Sequence, residues 1–531
     1  MKPPWRADIA MPHLAENPKN IVLPDLPSLQ DTRRDDVAKS IFLSSARVFF
    51  FQCLGLALSF GFQAFLSHTC GAAGLGGYTL FVSWLGLLSV ITVPGLEGTL
   101  VYLLPRFENA SDLRRKVVRI CLFLAGTIST LSALAVIAGG DRAFHWVGLP
   151  AKAKSAFAFS IVVFSLGKLL DAVFLGLRDA SATGYFNAVR ILLRFLFCIP
   201  ILLYPTAGWS IIFVAVASEC ALTLLLRVYC IRKRYPELST AGRHKTESPS
   251  LSYPMFFATA IPMFGIGIVD SLFPFMDKAI LGALLPLQLV GIYKVSESLA
   301  SLSSIFVSPF ISFWPFVSKL CHENRIDELS DAYRNINLLI IALMIPCVLA
   351  LVEVSGFVLS LFGSAFLVYG KTTFLILTLG CVFDAIAGPA GAVLKLTGHS
   401  HLCLGVNASL LVIYIALSFL LARTYGLLGI AIAKSSVLIL GNIVNVIANR
   451  FLLRIFPYSW KHGQLLLLGS SILTAAALVH ASSVRMHFFV ACGEVSIFVC
   501  AASIIVHPQI RQAIAMIRND GYLPNTADCN P

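Results

Sequence analysis

The sequence predicts an all-α protein built into a membrane, with about fourteen helices crossing it. Three observations carry this reading. Apolar residues make up 57% of the 531 residues and charged residues only 13%, about half the charged share of a soluble domain. Mean hydropathy is +0.82. The apolar stretches run unbroken for about twenty residues, the length at which a helix crosses ~30 Å of hydrocarbon. A soluble core grows only with volume and has no room for so much apolar surface. A membrane β-barrel would need ten-residue segments of alternating polarity, and these runs do not alternate. In lipid each segment must satisfy its own backbone N–H and C=O groups, which a helix does.

In chain order, residues 1–40 come first. They hold Pro3, Pro4, Pro12, Pro18, Pro24 and Pro27 among mixed charges, with no apolar core of a secretory signal. They are expected to form a disordered cytoplasmic tail. Spans follow at about 41–67, 78–104, 117–139, 155–177, 184–205 and 208–229, making an N-terminal six-helix bundle over 41–230. A polar linker occupies 231–253. A second six-helix bundle over 254–450 holds spans at 254–276, 289–315, 335–358, 372–393, 402–422 and 426–448. Two further spans, 463–483 and 487–506, lie within 451–507, and a cytoplasmic tail covers 508–531.

Orientation follows from lysine and arginine in alternate loops. One set is basic: Arg33, Arg34 and Lys39; Arg106, Arg114, Arg115 and Lys116; Arg232, Lys233, Arg234, Arg243 and Lys245; Lys319, Arg325 and Arg334; Arg450, Arg454 and Lys461. The richest opposite loop has Arg142, Lys152 and Lys154. By the positive-inside rule both termini are expected in the cytoplasm. The same residues account for most of the +13 net charge, so the basic balance is a membrane signature and no nucleic-acid partner is expected. Most of the thirteen cysteines, such as Cys53, Cys121 and Cys198, sit in apolar runs without paired spacing. There cysteine acts as a small apolar residue, and neither a disulfide, a metal nor another cofactor is predicted.

The chain also repeats. Gly76-Gly77-Tyr78 opens the second span, and Gly291-Ile292-Tyr293 opens the eighth about 215 residues later. Phe174-Leu175-Gly176-Leu177 followed by Asn187 is echoed by Val393-Leu394-Lys395-Leu396 followed by Asn407. Gly208 opens the sixth span; Gly426 and Gly429 open the twelfth. Six spans per copy is even, so both halves insert the same way and are related by a pseudo-twofold axis along the membrane normal. A substrate seam between rocking bundles is the transporter arrangement this predicts.

Certain stretches resemble a known family. They are Gly77-Tyr78, Pro94-Gly95-Leu96 with Leu104-Pro105-Arg106, and Gly176-Leu177-Arg178. In the second half they are Asp277-Lys278, Leu281-Gly282, Gly291-Ile292-Tyr293, Pro315 with Lys319, Gly398, and Tyr425-Gly426-Leu427-Leu428-Gly429-Ile430-Ala431-Ile432-Ala433. The chain resembles the multidrug/oligosaccharidyl-lipid/polysaccharide (MOP) exporters and, within them, the Wzx-like flippases. Ile430 departs from the small residue usual there. The resemblance implies flipping of an undecaprenyl-diphosphate-linked oligosaccharide across a bacterial inner membrane for surface polysaccharide, with a polymerase and glycosyltransferases as partners.

Ionisable groups at membrane depth usually face a cavity or a partner. Arg190 and Arg194 lie roughly 9 and 15 Å into the fifth span, and with Asn187 they share one helix face. Lys168 and Asp171 lie in the fourth span, Arg47 in the first, Glu97 in the second and Glu219 in the sixth. Asp270, Lys294, Glu297, Asp384 and Lys434 lie in the second half. A diphosphate needs lasting cations, so the expected substrate-binding residues are Arg47, Asn187, Arg190, Arg194, Lys168, Lys294 and Lys434. Asp171, Asp270 and Asp384 are the candidates for ion coupling. Plainer roles stand beside these. Arg47 and Arg190 suit snorkelling to the interface, Lys168 and Asp171 suit mutual neutralisation, and a structural partner for Arg194 would be Glu97 or Asp171.

Two other functions share the fold, a cation-coupled multidrug exporter and a lipid II flippase. Cationic drugs would favour a seam of carboxylates, and this one is rich in lysine and arginine. A membrane polymerase or glycosyltransferase would need large outer loops, which are absent, and no phosphate-cradling GxxxxGK[ST] loop occurs. The chain is read as a transporter rather than an enzyme.

Overall fold

The computed structural model describes residues 32–107, 111–141, 148–177, 179–204, 208–239, 253–305, 321, 325–397, 400–478, 490–503 and 505–506. The tail before residue 32, most of the linker, the end of the eighth span, much of the last inter-span loop and the C-terminal tail lie outside them. Two compact units are delimited. One comprises 1–43 with 512–531, whose described part is the start of the first helix; the other, Ser44–Arg511, holds the remaining described helices.

The described residues are helical almost throughout. α1 runs Thr32–Thr92, about 90 Å at 1.5 Å per residue, too long to be one crossing. Its backbone breaks at Gly71 (φ 69°), a left-handed conformation that costs glycine little, and the break separates the first two spans. A second break at Pro94-Gly95 splits the second span, whose latter part is α2 (Leu96–Arg106). There follow α3 (Ser111–Ala138), α4 (Lys154–Gly176), α5 (Ala180–Cys198) and α6 (Gly208–Arg234). The second half has α7 (Tyr253–Leu284), α8 (Leu287–Ser301), α9 (Ile326–Ser360), α10 (Ser364–Ala387), α11 (Ala390–Leu396), α12 (Ser400–Tyr425) and α13 (Leu427–Ala448). Then come α14 (Trp460–Leu478) and the shorter apolar α15 (Val490–Ser503). Among the described residues nine helices are long and apolar enough to cross a membrane.

Two boundaries differ from the sequence expectation in ways that matter. The tenth span is two helices, because Pro389 has no N–H to continue the ladder and Gly388 (φ 61°) turns the chain. The seventh continues eight residues past the expected end at 276, to Leu284, which carries Asp277 and Lys278 inside it.

The halves meet closely. A methyl group on Gly76 would lie 1.8 Å from the Leu287 carbonyl oxygen, and one on Gly291 would lie 2.3 Å from that of Ala72. Ala72 and Leu287 stand at the same spacing as Gly76 and Gly291, about 215 residues. Each helix thus sets its glycine against a backbone carbonyl four residues before the other's glycine, the self-complementary contact that a twofold axis generates. Glycine allows it, because membrane helices associate largely through close backbone packing. One apolar core joins the halves, from Phe62, Leu66 and Phe81 to Leu281, Tyr293 and Phe374. α14 and α15 pack on the second half through Leu465, Phe498 and Ala502 against Leu338, Ile341 and Leu349.

Candidate functional site

Among the described residues the paired charges at depth form two networks, one in each half. In the first half α5 carries Arg194, only 7% exposed. Its Nε and Nη2 both donate to Glu219 Oε2 on α6, at 2.9 and 2.7 Å, and Nη1 donates to the Tyr78 hydroxyl. The guanidinium also lies 5.9 Å from the Phe62 ring centroid and 5.3 Å from that of Tyr78, a cation–π arrangement. Glu219, wholly buried, has Arg190 Nε 3.7 Å from its other oxygen. One turn back, Arg190 Nη2 donates to Asn187 Oδ1 at 2.7 Å.

Two further pairs complete this network. Arg227 on α6 donates twice to Asp171 on α4, at 2.7 and 3.1 Å. Lys168 on α4 lies 3.2 Å from Glu97 of α2 and donates to Ser89 Oγ at 3.1 Å. Lys168 and Asp171 therefore each look to another helix, and the carboxylate on Arg194 is Glu219, neither Glu97 nor Asp171.

The second network is built around carboxylates. Asp277 on α7 has no exposed surface. It accepts from its neighbour's backbone N–H at 2.8 Å, from the Tyr293 hydroxyl at 3.0 Å, from Lys434 Nζ at 2.7 Å and from Lys278 Nζ at 3.3 Å. Glu297 on α8 gathers three ammoniums. Its Oε1 accepts from Lys278 and Lys434, each at 2.5 Å, and its Oε2 accepts from Lys294 at 3.1 Å.

This second network opens onto a cavity of about 370 Å³. From the first half Tyr78, Thr79, Val82 and Ser83 line it, and from the second half Lys278, Lys294, Glu297 and Lys434. It therefore lies at the seam between the halves. Three lysines against Asp277 and Glu297 leave one net positive charge there, inside a structure whose other walls are mostly apolar.

Of the residues expected at the site, Lys294 and Lys434 line this cavity. Arg190, Arg194, Asn187 and Lys168 lie in the first-half network. Asp171 is held by Arg227, and Asp384 accepts a hydrogen bond from Asn442 at 2.9 Å. Arg47 and Asp270 sit on α1 and α7 with side chains outside the described residues. Lys278 was missed as a site residue because the seventh span was ended at 276. Arg227 was missed as well, although it stands eight residues from Glu219, two turns along the same helix face.

Comparison with known proteins agrees with this architecture. The model of a family described as polysaccharide biosynthesis protein matches residues 45–321. A Shigella flexneri protein named for O-antigen transport is 22% identical over 385 residues, covering 70% of this chain and 88% of that relative. Lipid II flippase MurJ, in an inward closed conformation, superposes with a TM-score of 0.68 at 15% identity, over 88% of this chain and 100% of the other. An inward-facing multidrug resistance transporter of the MATE family, in the MOP superfamily, superposes with a TM-score of 0.60 at 15% identity, over 75% and 94%. The fold is therefore that of the all-α MOP transporters, and the protein is a multi-pass membrane protein.

Proposed function

The chain belongs to the polysaccharide biosynthesis protein family, and from that premise we propose that it carries an undecaprenyl-diphosphate-linked oligosaccharide across a bacterial inner membrane by alternating access. The observation that carries this reading is the trio Lys278, Lys294 and Lys434 on the seam cavity. Cations at this depth are costly unless an anion meets them, and a lipid diphosphate brings anionic oxygens to the middle of the membrane. The O-antigen transport named for the Shigella flexneri relative supports a glycan as the cargo. The hydroxyls of Tyr78, Thr79, Ser83 and Ser298 on the same walls suit hydrogen bonding to sugars.

Within this reading the expected substrate contacts narrow. Lys294 and Lys434, joined by Lys278, hold the diphosphate. Arg194 holds α5 to α6, since each of its three nitrogens already donates to Glu219 or Tyr78. Asp171, Asp270 and Asp384 remain the candidates for ion coupling. The basic loops put both termini in the cytoplasm, where glycosyltransferases build the cargo, and a polymerase receives it on the other face. A cation-coupled multidrug exporter fits less well, because a cationic drug would meet net positive charge. A lipid II flippase would use the same cations.

The test is complementation of a strain lacking the gene. Surface polysaccharide is measured beside membrane abundance for a Lys278→Gln, Lys294→Gln, Lys434→Gln triple variant. Export should vanish while drug tolerance stays at the level of the parent. Full export at equal abundance would overturn the reading, and lost drug tolerance would favour the exporter.

A further inference from the structure

Glu297 differs from every other carboxylate in the two networks. Asp277, which shares Lys278 and Lys434 with it, has no exposed surface and is fixed by a backbone N–H and the Tyr293 hydroxyl. Glu297 lines the cavity, and among the described residues its partners are three lysine ammoniums from three helices, α7, α8 and α13. Two oxygens sharing negative charge and bridging three ammoniums reproduce what a phosphate group offers. The cations a diphosphate would seek are thus already occupied by an anion attached to the protein.

We propose that Glu297 is a tethered stand-in for the substrate's diphosphate: it holds Lys278, Lys294 and Lys434 in the empty carrier, is displaced when the diphosphate binds, and returns to expel it. The inference rests on the lipid-diphosphate reading above and adds how binding is kept reversible. Lys278 and Lys434 keep Asp277 as a partner while Glu297 is away, so displacement never strips them of all counter-charge. Among the described residues Lys294 pairs with Glu297 alone, and it is the most exposed of the three lysines, placed to meet the incoming phosphate first. Without Glu297 the diphosphate would meet three lysines and one carboxylate, a net charge of two rather than one. Its departure would leave those cations uncompensated at membrane depth, which is unfavourable. The consequence is opposite in sign to that of a binding residue: removing the charge of Glu297 tightens binding and slows turnover.

The experiment uses the purified full-length protein in lipid nanodiscs, titrated with farnesyl diphosphate and separately with inorganic diphosphate. Glu297→Gln should bind both about tenfold more tightly, equal to about 1.4 kcal/mol, while polysaccharide export in cells falls at unchanged abundance. Glu297→Asp, with its carboxylate drawn back by one methylene, should fall between the parent and Glu297→Gln, and it carries the test if Glu297→Gln does not accumulate. Lys434→Gln should weaken both ligands. If Glu297→Gln and Glu297→Asp bind no more tightly while Lys434→Gln still weakens binding, the stand-in role is wrong and the diphosphate reading survives. If neither the parent nor any variant binds either diphosphate, both fall together. A gain confined to farnesyl diphosphate would place the effect on the lipid tail and would also overturn the role for Glu297.

Discussion

The two halves keep their charges differently. Lys168 on Glu97 aside, the first half uses arginine: Arg194 on Glu219 and Arg227 on Asp171, with both guanidiniums buried and doubly bonded. The second half uses lysine, and its three ammoniums share two carboxylates at the edge of a cavity. A guanidinium forked onto one carboxylate is a closed unit with fixed geometry. A lysine ammonium is a rotatable point charge that exchanges one oxygen for another. The contrast teaches that depth alone does not mark a binding cation. What marks it is an exchangeable bond facing open space.

The largest effect should come from breaking a closed pair. Glu219→Gln leaves Arg194 buried without its counter-charge, which costs about 3–5 kcal/mol. Membrane abundance and the thermal unfolding temperature in detergent should fall steeply. An Arg194→Leu, Glu219→Leu double variant should recover abundance, because apolar side chains of similar volume replace a buried pair at little cost, and its export per molecule should approach that of the parent. A double variant that is abundant but inert would place Arg194 among the binding residues and break the contrast.

Next in size is Lys434→Gln. It removes a charge-assisted bond from Asp277 and one from Glu297, but Lys278 continues to serve both carboxylates, so neither is left without a counter-charge. Export should fall at least tenfold with abundance reduced far less than by Glu219→Gln. Abundance falling as far as export would make the second half a closed structural network like the first.

The glycines shared by the halves provide a symmetric test. Gly76→Ala and Gly291→Ala each thrust a methyl group onto a backbone carbonyl across the seam, an overpacking cost of about 1–3 kcal/mol. The twofold relation predicts that the two lower the unfolding temperature by similar amounts. A large loss from one and none from the other would show that the contact is not self-complementary.

How much of this was legible in the sequence depends on the kind of feature. Helices were plain, because about twenty apolar residues in a row have few other fates. The 215-residue spacing of Gly76 and Gly291 was visible, although only the structure places them against each other. Breaks were harder: Pro94-Gly95 and Gly388-Pro389 were in view, but a uniform apolar run hides where a helix stops. Partners were the least legible. Arg194 and Glu219 are separated by a turn and lie on different helices, and no spacing rule links them. The rotation of α5 against α6 decides that pairing, and packing sets that rotation. Lys278 was hidden by a boundary error, since ending the seventh span at 276 left it looking like a flanking charge.

The smallest expected effect is also the sharpest comparison, because it sets two matched residues against each other. Arg190 and Lys294 are similarly exposed, at 32% and 31% of the side chain. Each lies near a carboxylate of its own half, Arg190 3.7 Å from Glu219 and Lys294 3.1 Å from Glu297. Neither is its carboxylate's main support: Arg194 holds Glu219, and Lys278 and Lys434 hold Glu297. On local electrostatics alone both should matter little, because a half-exposed ion pair contributes about 0.2–1 kcal/mol. Only Lys294 lines the seam cavity. Lys294→Gln should therefore lower export several-fold, at the upper end of that range, whereas Arg190→Gln should lower it less than about twofold. Both should leave abundance unchanged. The measurement is surface polysaccharide per unit of membrane protein in the complemented strain. Equal losses would mean that the first-half stripe of Asn187 and Arg190 also meets the substrate, and that the cargo bridges both halves instead of resting on the lysines of one.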